Sequence, residues 1–187
     1  GVAIALASKD TVENLFGSLV VFIDQPFQIG DYVITDGSIE GVIEEVGFRS
    51  TRIRTLEKTL ISVPNAKIAH CTVNNYAKIS ERRFTCTLGL RYDTTTVQME
   101  AFVEDLRTYL SEHEKINSDT VLVYFTNMNS FSLDVLVMAF INSNAWIELV
   151  KFKHEAFLQS MKIADKHGIG YAFPTTTIEL EDQHTQK

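Results

Sequence analysis

Gly41-Val42-Ile43-Glu44-Glu45-Val46-Gly47-Phe48-Arg49-Ser50-Thr51-Arg52-Ile53-Arg54-Thr55 is the stretch whose reading sets the fold. Two short β-branched runs, Ile39–Ile43 and Thr51–Thr55, form its two ends, and Gly47 punctuates the segment between them. Further out lie Tyr32-Val33-Ile34 on one side and Leu60-Ile61-Ser62-Val63 on the other, with turn chemistry at Asp36-Gly37-Ser38. Short strands at this density predict a small, strongly bent β-barrel or sandwich. Pro64-Asn65 closes it.

Towards the amino terminus the period changes to that of a helix. Val12, Leu15, Phe16, Leu19, Val20 and Ile23 recur at helical spacing, and Pro26 ends the run because the residue before a proline is pushed out of helical geometry. Gly1 to Ala7 is small or aliphatic: Ala3 and Ala7 make a small-xxx-small pair, and Val2 and Leu6 share one face. Lys9, Asp10, Thr11, Glu13 and Asn14 interrupt Gly1 to Ile23, so no stretch qualifies as an ordinary membrane span, and no basic region precedes it as in a signal peptide. The abrupt apolar start suggests a piece of something longer.

Towards the carboxyl terminus, Lys78 to Glu81 is a polar bridge. Phe84, Cys86, Leu88, Leu90 and Tyr92 then alternate as a half-buried strand. A helix follows, with Thr95 and Gln98 as its capping box and Met99, Phe102, Val103, Leu106 and Leu110 at helical spacing. Val121–Phe125 and Phe131–Ala139 predict a strand pair around Asn127–Ser130. A second helix, capped by Asn144 and carrying Ile147, Val150, Phe157, Leu158, Met161 and Ala164, stops at Gly168. Ile169–Phe173 and Thr175–Leu180 finish as strand. The order β-α-β-β-α-β is that of a ferredoxin-like unit.

Composition narrows the function. The chain has 187 residues, a formal net charge of −7 and scattered Lys and Arg, a surface that repels phosphate backbones. Two cysteines, Cys71 and Cys86, fit thiols of a reducing compartment. His70, His113, His154, His167 and His184 show no metal-ligand spacing, so no metal site is expected. His70 beside Cys71 in an expected strand faces the opposite way and makes no nucleophile pair. Glu44-Glu45 and Glu179–Glu181 read as sheet and tail surface rather than an acid/base dyad. An acylphosphatase-type enzyme needs a phosphate-cradling loop with an Arg and an Asn, and Arg91-Tyr92-Asp93-Thr94 supplies none. No enzyme is expected.

Three stretches together carry a resemblance: Asn14-Leu15 with Pro26-Phe27-Gln28-Ile29-Gly30-Asp31-Tyr32-Val33; residues 41–55; and Ile61-Ser62-Val63-Pro64-Asn65-Ala66-Lys67-Ile68. With Ile169-Gly170-Tyr171-Ala172-Phe173-Pro174, they make the chain similar to the small-conductance mechanosensitive channel family over nearly its whole length. The resemblance implies an α+β subunit with four parts. Residues 1–25 would be the lower part of the third, pore-lining transmembrane helix, and residues 26–78 an Sm-like small β-barrel domain. Residues 79–174 would be a ferredoxin-like α/β domain, and residues 175–187 a C-terminal barrel strand and tail. It implies no cofactor, a homo-oligomer (a heptamer), and a bacterial-type inner membrane reached through the full-length protein, with most of this chain on the cytoplasmic side. Passage of ions and small osmolytes on hypoosmotic shock is the implied activity.

The family's apolar constriction falls on Val2 and Leu6, rings that block ions by dewetting, with Ala3 and Ala7 where neighbouring helices touch. Lys9-Asp10 stands where Gln-Gly is frequent, so Asp10 and Gly17-Ser18 are the hinge candidates. Glu57-Lys58 stands where Asp-Gly is common. Asn14 is placed against Asn65 and Ala66 as the coupling between gate and vestibule. Lys78, Glu81, Arg82 and Arg83 are portal candidates. Each has a plainer reading: helix packing for Val2 and Leu6, and a routine charged linker for the portal set. The competing function is a soluble oligomeric binding module built of Sm-like and ferredoxin-like domains.

Overall fold

The computed structural model describes residues 2–36 and 39–174, with residues 2–7, 10 and 14 described by backbone alone. The chain divides into two units, Gly1–Ile79 and Ser80–Lys187.

The first unit opens with α1 (Val2–Asp24), a single helix that ends where Gln25 turns to a φ of 42° just before Pro26. Among the described residues no helix is long and apolar enough to cross a membrane. Strands β1 (Tyr32–Thr35), β2 (Ile39–Val46), β3 (Ser50–Thr55) and β4 (Leu60–Pro64) follow, then α2 (Asn65–His70) and β5 (Val73–Asn75). They form one antiparallel sheet of order β4-β3-β2-β1-β5. Alternation explains the core: Val33, Ile43, Ile53 and Val63 point inward, joined by Ile68 of α2, by Val21 near the end of α1 and by Phe27 beyond it. The register slips between Ile43 and Glu45, and both neighbouring carboxylates find a cross-strand arginine. Glu44 takes a bidentate Arg54 at 2.6 and 2.8 Å, and Glu45 takes Arg52 at 2.7 Å. The Arg54 hydrogen bond holds the Glu44 carboxyl below its usual range. The pair is sheet surface.

Two expectations fail in this unit. Helix α2 occupies the place where Pro64-Asn65 was expected only to close the barrel. His70 ends that helix rather than sitting in a strand.

The β3–β4 hairpin forms without an Asp-Gly pair. Lys58 adopts the left-handed conformation (φ 68°), its N–H donating to the Thr55 carbonyl at 3.0 Å. A lysine there carries a Cβ penalty that glycine lacks. Lys58→Gly is therefore expected to stabilise the protein by about 0.5–1 kcal/mol, read as a higher urea midpoint at unchanged slope. An unchanged or lower midpoint would show that the turn is not strained.

The second unit holds β6 (Arg82–Leu90), α3 (Thr96–Ser111), β7 (Leu122–Met128), β8 (Leu133–Ile141) and α4 (Trp146–Lys166). The antiparallel sheet runs β6-β8-β7, with α3 packed over β7 and α4 over β6. Phe84, Leu90, Phe102, Leu106, Val123, Val135, Val137 and Phe152 form the core between sheet and helices. The Thr95–Gln98 capping box is present, and Gly168 (φ 65°) stops α4. Gln98 also donates through Nε2 to the His167 carbonyl at 2.9 Å, tying the start of α3 to the end of α4. Asp105 receives Lys166 Nζ and His167 Nε2, each at 2.7 Å, and the Lys166 bond first holds its carboxyl low.

Two further differences from the sequence reading belong here. The residue before α4 is Ala145, with no side-chain cap, because Asn144 lies one residue too early. The expected Ile169–Phe173 strand is shortened to one bridge, Leu90 with Tyr171, with the Arg91 N–H donating to the Gly170 carbonyl at 3.0 Å and the Ala172 N–H to the Gly89 carbonyl at 2.9 Å on either side of it. Residues 175–187, the expected barrel strand, and Gly37-Ser38 lie outside the described residues.

Cys86 packs on this core, and burial pushes its thiol up to about 11 from 9.0. An acid whose folded pKa is raised favours the folded state below its unfolded pKa, and that contribution is lost as pH rises towards about 11. At pH 8 its thiolate fraction lies about 100-fold below that of an ordinary thiol. Iodoacetamide should label Cys86 at least that much more slowly than the urea-unfolded chain, followed by mass spectrometry. Equal rates would show the thiol is not desolvated.

Candidate functional site

Pro64 ends β4 in extended geometry, and the chain turns at once into α2, so Asn65 is delivered to the interior beneath α1. Asn65 is only 1% exposed, and a buried amide must find partners. Its Nδ2 donates to Ser18 Oγ at 3.0 Å and to the Gly47 carbonyl at 2.9 Å, while its Oδ1 accepts from Thr51 Oγ1 at 2.9 Å. Its backbone N–H donates to the Arg49 carbonyl at 3.0 Å. Ser18 completes the circuit by donating to the Phe48 carbonyl. One side chain thereby joins α1, the β2–β3 turn, β3 and α2.

The approach of α1 to α2 depends on Gly17. A Cβ built there would stand 2.6 Å from both Cα and N of Ala66 and 2.9 Å from the Asn65 carbonyl carbon. Only a residue without a side chain lets the helices meet so closely. At the exposed rim, Glu13 lies 3.8 Å from His70 of α2. Below, Asn75 Nδ2 donates to the Pro26 carbonyl at 3.1 Å and to Asp31 at 2.7 Å, fixing the exit from α1.

Of the sequence candidates, Gly17, Ser18, Asn65 and Ala66 are brought together. The side chains of Val2, Ala3, Leu6, Ala7, Asp10 and Asn14 lie outside the described residues, although all six belong to α1. The helix continues through Asp10, Gly17 and Ser18. Portal candidates mostly have structural partners. Lys78 Nζ donates to the Gln25 carbonyl at 3.5 Å, and Glu81 accepts from Asn117 at 3.1 Å. Arg82 holds Asn144 and sits over the Trp146 ring at 5.8 Å, and Arg83 is exposed.

Sequence reasoning missed the Ser18–Asn65–Thr51 circuit. The small pair Gly17-Ser18 between the bulky apolar residues Leu15-Phe16 and Leu19–Ile23 was the available signal.

The site has no acid–base or nucleophilic character. Cys71 gives its thiol proton to the Ile68 carbonyl at 3.2 Å, and burial raises its pKa. Among the described residues no cluster of His, Cys, Asp or Glu can hold a metal ion. What the arrangement offers is mechanical: a helix keyed to a sheet through one buried amide and one glycine.

α1 also leaves a large apolar face uncovered among the described residues. Leu15, Phe16, Leu19, Phe22 and Ile23 are exposed, and Phe48 of the β2–β3 turn is 80% exposed beside them. A groove of about 280 Å³ lies between Phe48 and this face.

Comparisons with known proteins agree with this build. Residues 10–78 match the beta-domain of mechanosensitive ion channels, and residues 84–171 match the mechanosensitive ion channel MscS C-terminal domain. The low conductance mechanosensitive channel YnaI of Escherichia coli (strain K12) is 33% identical over 184 residues, covering 97% of this chain and 53% of that protein. The small-conductance mechanosensitive channel MscMJ of Methanocaldococcus jannaschii is 33% identical over 181 residues, covering 97% and 51%. The closed-state crystal structure of Helicobacter pylori MscS superposes with a TM-score of 0.80 at 24% identity, covering 98% of this chain and 70% of that one. The chain spans about half the length of the curated relatives it matches. With both family matches in chain order on the two units described above, the chain belongs to the MscS family of mechanosensitive ion channels, a family of channels and not of enzymes.

Proposed function

We propose that this chain is the lower pore helix and cytosolic vestibule of a mechanosensitive channel subunit that passes ions and small osmolytes on hypoosmotic shock. The observation that carries the proposal is the keyed joint of Gly17 and Ser18 with Asn65 and Ala66 in a chain of this family. A pore helix that must change its tilt needs a defined contact with the rigid domain below it, and this joint is one. Seven copies would place Val2 and Leu6 in two apolar rings that exclude ions when narrow. Asn14, one turn above Gly17 and Ser18, would meet the same α2 segment in a closed or desensitised state. Asp10 or Gly17-Ser18 would be the bend.

Lys78, Glu81, Arg82 and Arg83 would border the side portals and set the local ion population. The uncovered Leu15–Ile23 face and Phe48 fit a full-length protein whose remaining helices and lipid lie against α1. Inner-membrane residence, with most of this chain on the cytoplasmic side, follows from that reading.

The test is patch-clamp recording of the full-length protein in channel-deficient membranes. Tension-gated currents are expected, with Leu6→Ser lowering the threshold because a polar ring wets more easily. Absence of current at lytic tension would overturn the proposal.

A further inference from the structure

The second unit carries two apolar surfaces with no cover among the described residues. The first lies on α4. Its core side presents Phe152, Ala156, Ser160 and Ile163, yet Ile147, Val150, Phe157, Leu158 and Met161 recur at helical spacing on another side and are exposed. A surface helix needs one apolar stripe, so a second, turned away from its own core, is a packing surface without a partner. The second surface is a groove of about 530 Å³ between α3 and β7, lined by Met99, Val103, Phe125, Met128 and Leu133. Thr94, also in its wall, has a buried hydroxyl without a hydrogen-bond partner among the described residues. β7 is moreover an edge strand, with one side of its backbone open to pairing.

Their placement is complementary. α4 lies over β6 and α3 over β7, at opposite margins of the β6-β8-β7 sheet. The Gln98–His167 hydrogen bond puts the C-terminal half of α4 and the start of α3 at the same end of the unit. Leu158 and Met161 thus stand at the level of the groove but on the other flank. Charge agrees as well: Lys153 and Lys162 border the stripe, and Glu100 lines the groove. A body with a ridge on one flank and a groove on the other joins its copies head to tail, which closes into a ring when the rotation divides a full turn.

We infer that the Leu158–Met161 ridge of one copy seats in the α3–β7 groove of the next, so that these two surfaces form a heterologous subunit contact of the vestibule. The inference rests on the oligomeric reading proposed above, and its occupant is a second copy of this chain.

The test is disulfide trapping in the full-length protein. In a Cys71→Ser, Cys86→Ser background, Met128→Cys and Met161→Cys are combined and membranes are mildly oxidised. A reductant-sensitive ladder of covalent dimers and higher species is expected from the double variant and from neither single one. Adding Glu100→Lys should lower the yield several-fold. No ladder, although light scattering in detergent still gives an oligomer, would overturn this contact while leaving the oligomer intact. Dimers from Met128→Cys alone would overturn it in favour of symmetric edge pairing of β7. A monomer by light scattering would remove the oligomeric reading and this contact with it.

Discussion

Gly17→Ala is expected to destabilise the first unit by about 2–3 kcal/mol, against the direction that helix propensity alone dictates. In an exposed helix, alanine would gain about 1 kcal/mol over glycine. Here the added Cβ would stand 2.6 Å from Ala66 Cα and N, closer than carbon and nitrogen can approach. The obstacle is backbone, so no side-chain rotation relieves it, and α2 must move away from α1. Overpacking of this kind costs about 1–3 kcal/mol by itself. Moving α2 also stretches the 3.0 Å Asn65–Ser18 bond, and each buried group left without a partner costs about 1–3 kcal/mol. The losses exceed the propensity gain. Urea unfolding should show a lower midpoint at constant slope, and Gly17→Val a larger fall. A neutral or stabilising Gly17→Ala would mean that α1 does not seat on α2 as described. In the full-length channel, the same substitution should alter gating, because it separates the two helices whose apposition defines the joint.

Asn65→Ala has the larger expected effect, about 3–4 kcal/mol. It deletes three side-chain hydrogen bonds at once and leaves the Gly47 carbonyl and the Thr51 hydroxyl orphaned in the interior. Thr51 is fully buried, so water cannot easily replace the lost partner. Against a typical total stability of about 5–15 kcal/mol, a loss of this size leaves the fold marginal.

Asn65→Asp separates packing from hydrogen bonding, since it keeps the shape. Its second oxygen would face the Gly47 carbonyl, which offers no proton, while the other retains the Thr51 hydroxyl. Burial would raise the new carboxyl's pKa, so the folded state would tolerate it protonated. Stability should therefore be lost as pH rises through that folded value, a dependence that Asn65→Ala lacks. Thermal melts of both variants between pH 4 and pH 8 would read this; parallel behaviour of the two would show that Asn65 contributes by packing alone.

Much of this joint was legible residue by residue but not as a contact. Gly17, Ser18, Asn65 and Ala66 were all singled out in the sequence, but Gly17 and Ser18 as a hinge and Asn65 and Ala66 as partners of Asn14, whose side chain lies outside the described residues; the Ser18–Asn65 bond was not foreseen. Helical spacing alone does not tell which polar side chain of α1 will meet a buried amide. The Ser18–Asn65 contact follows from how α1 and the residues after it seat on the sheet, where Val21 and Phe27 join its core.

The sequence by itself determined the elements whose causes are local. Strands β1 to β4 follow from period-2 alternation, the start of α3 from Thr95 and Gln98, and the end of α4 from Gly168, because each rests on neighbours within a few residues. Tertiary structure decided the rest. α2 has six residues, too few to display a helical period, and exists because its backbone must pass under Gly17 while Asn65 and Ile68 are buried. The segment after Gly168 alternates as expected, with Ile169 and Tyr171 on the core, but its pairing with β6 is confined to the Leu90–Tyr171 bridge and the two hydrogen bonds beside it, an extent that alternation does not set. The exposed stripe on α4 and the groove beside β7 were read as ordinary periodic apolar positions. Periodicity counts apolar residues, but only packing shows which of them the chain covers by itself.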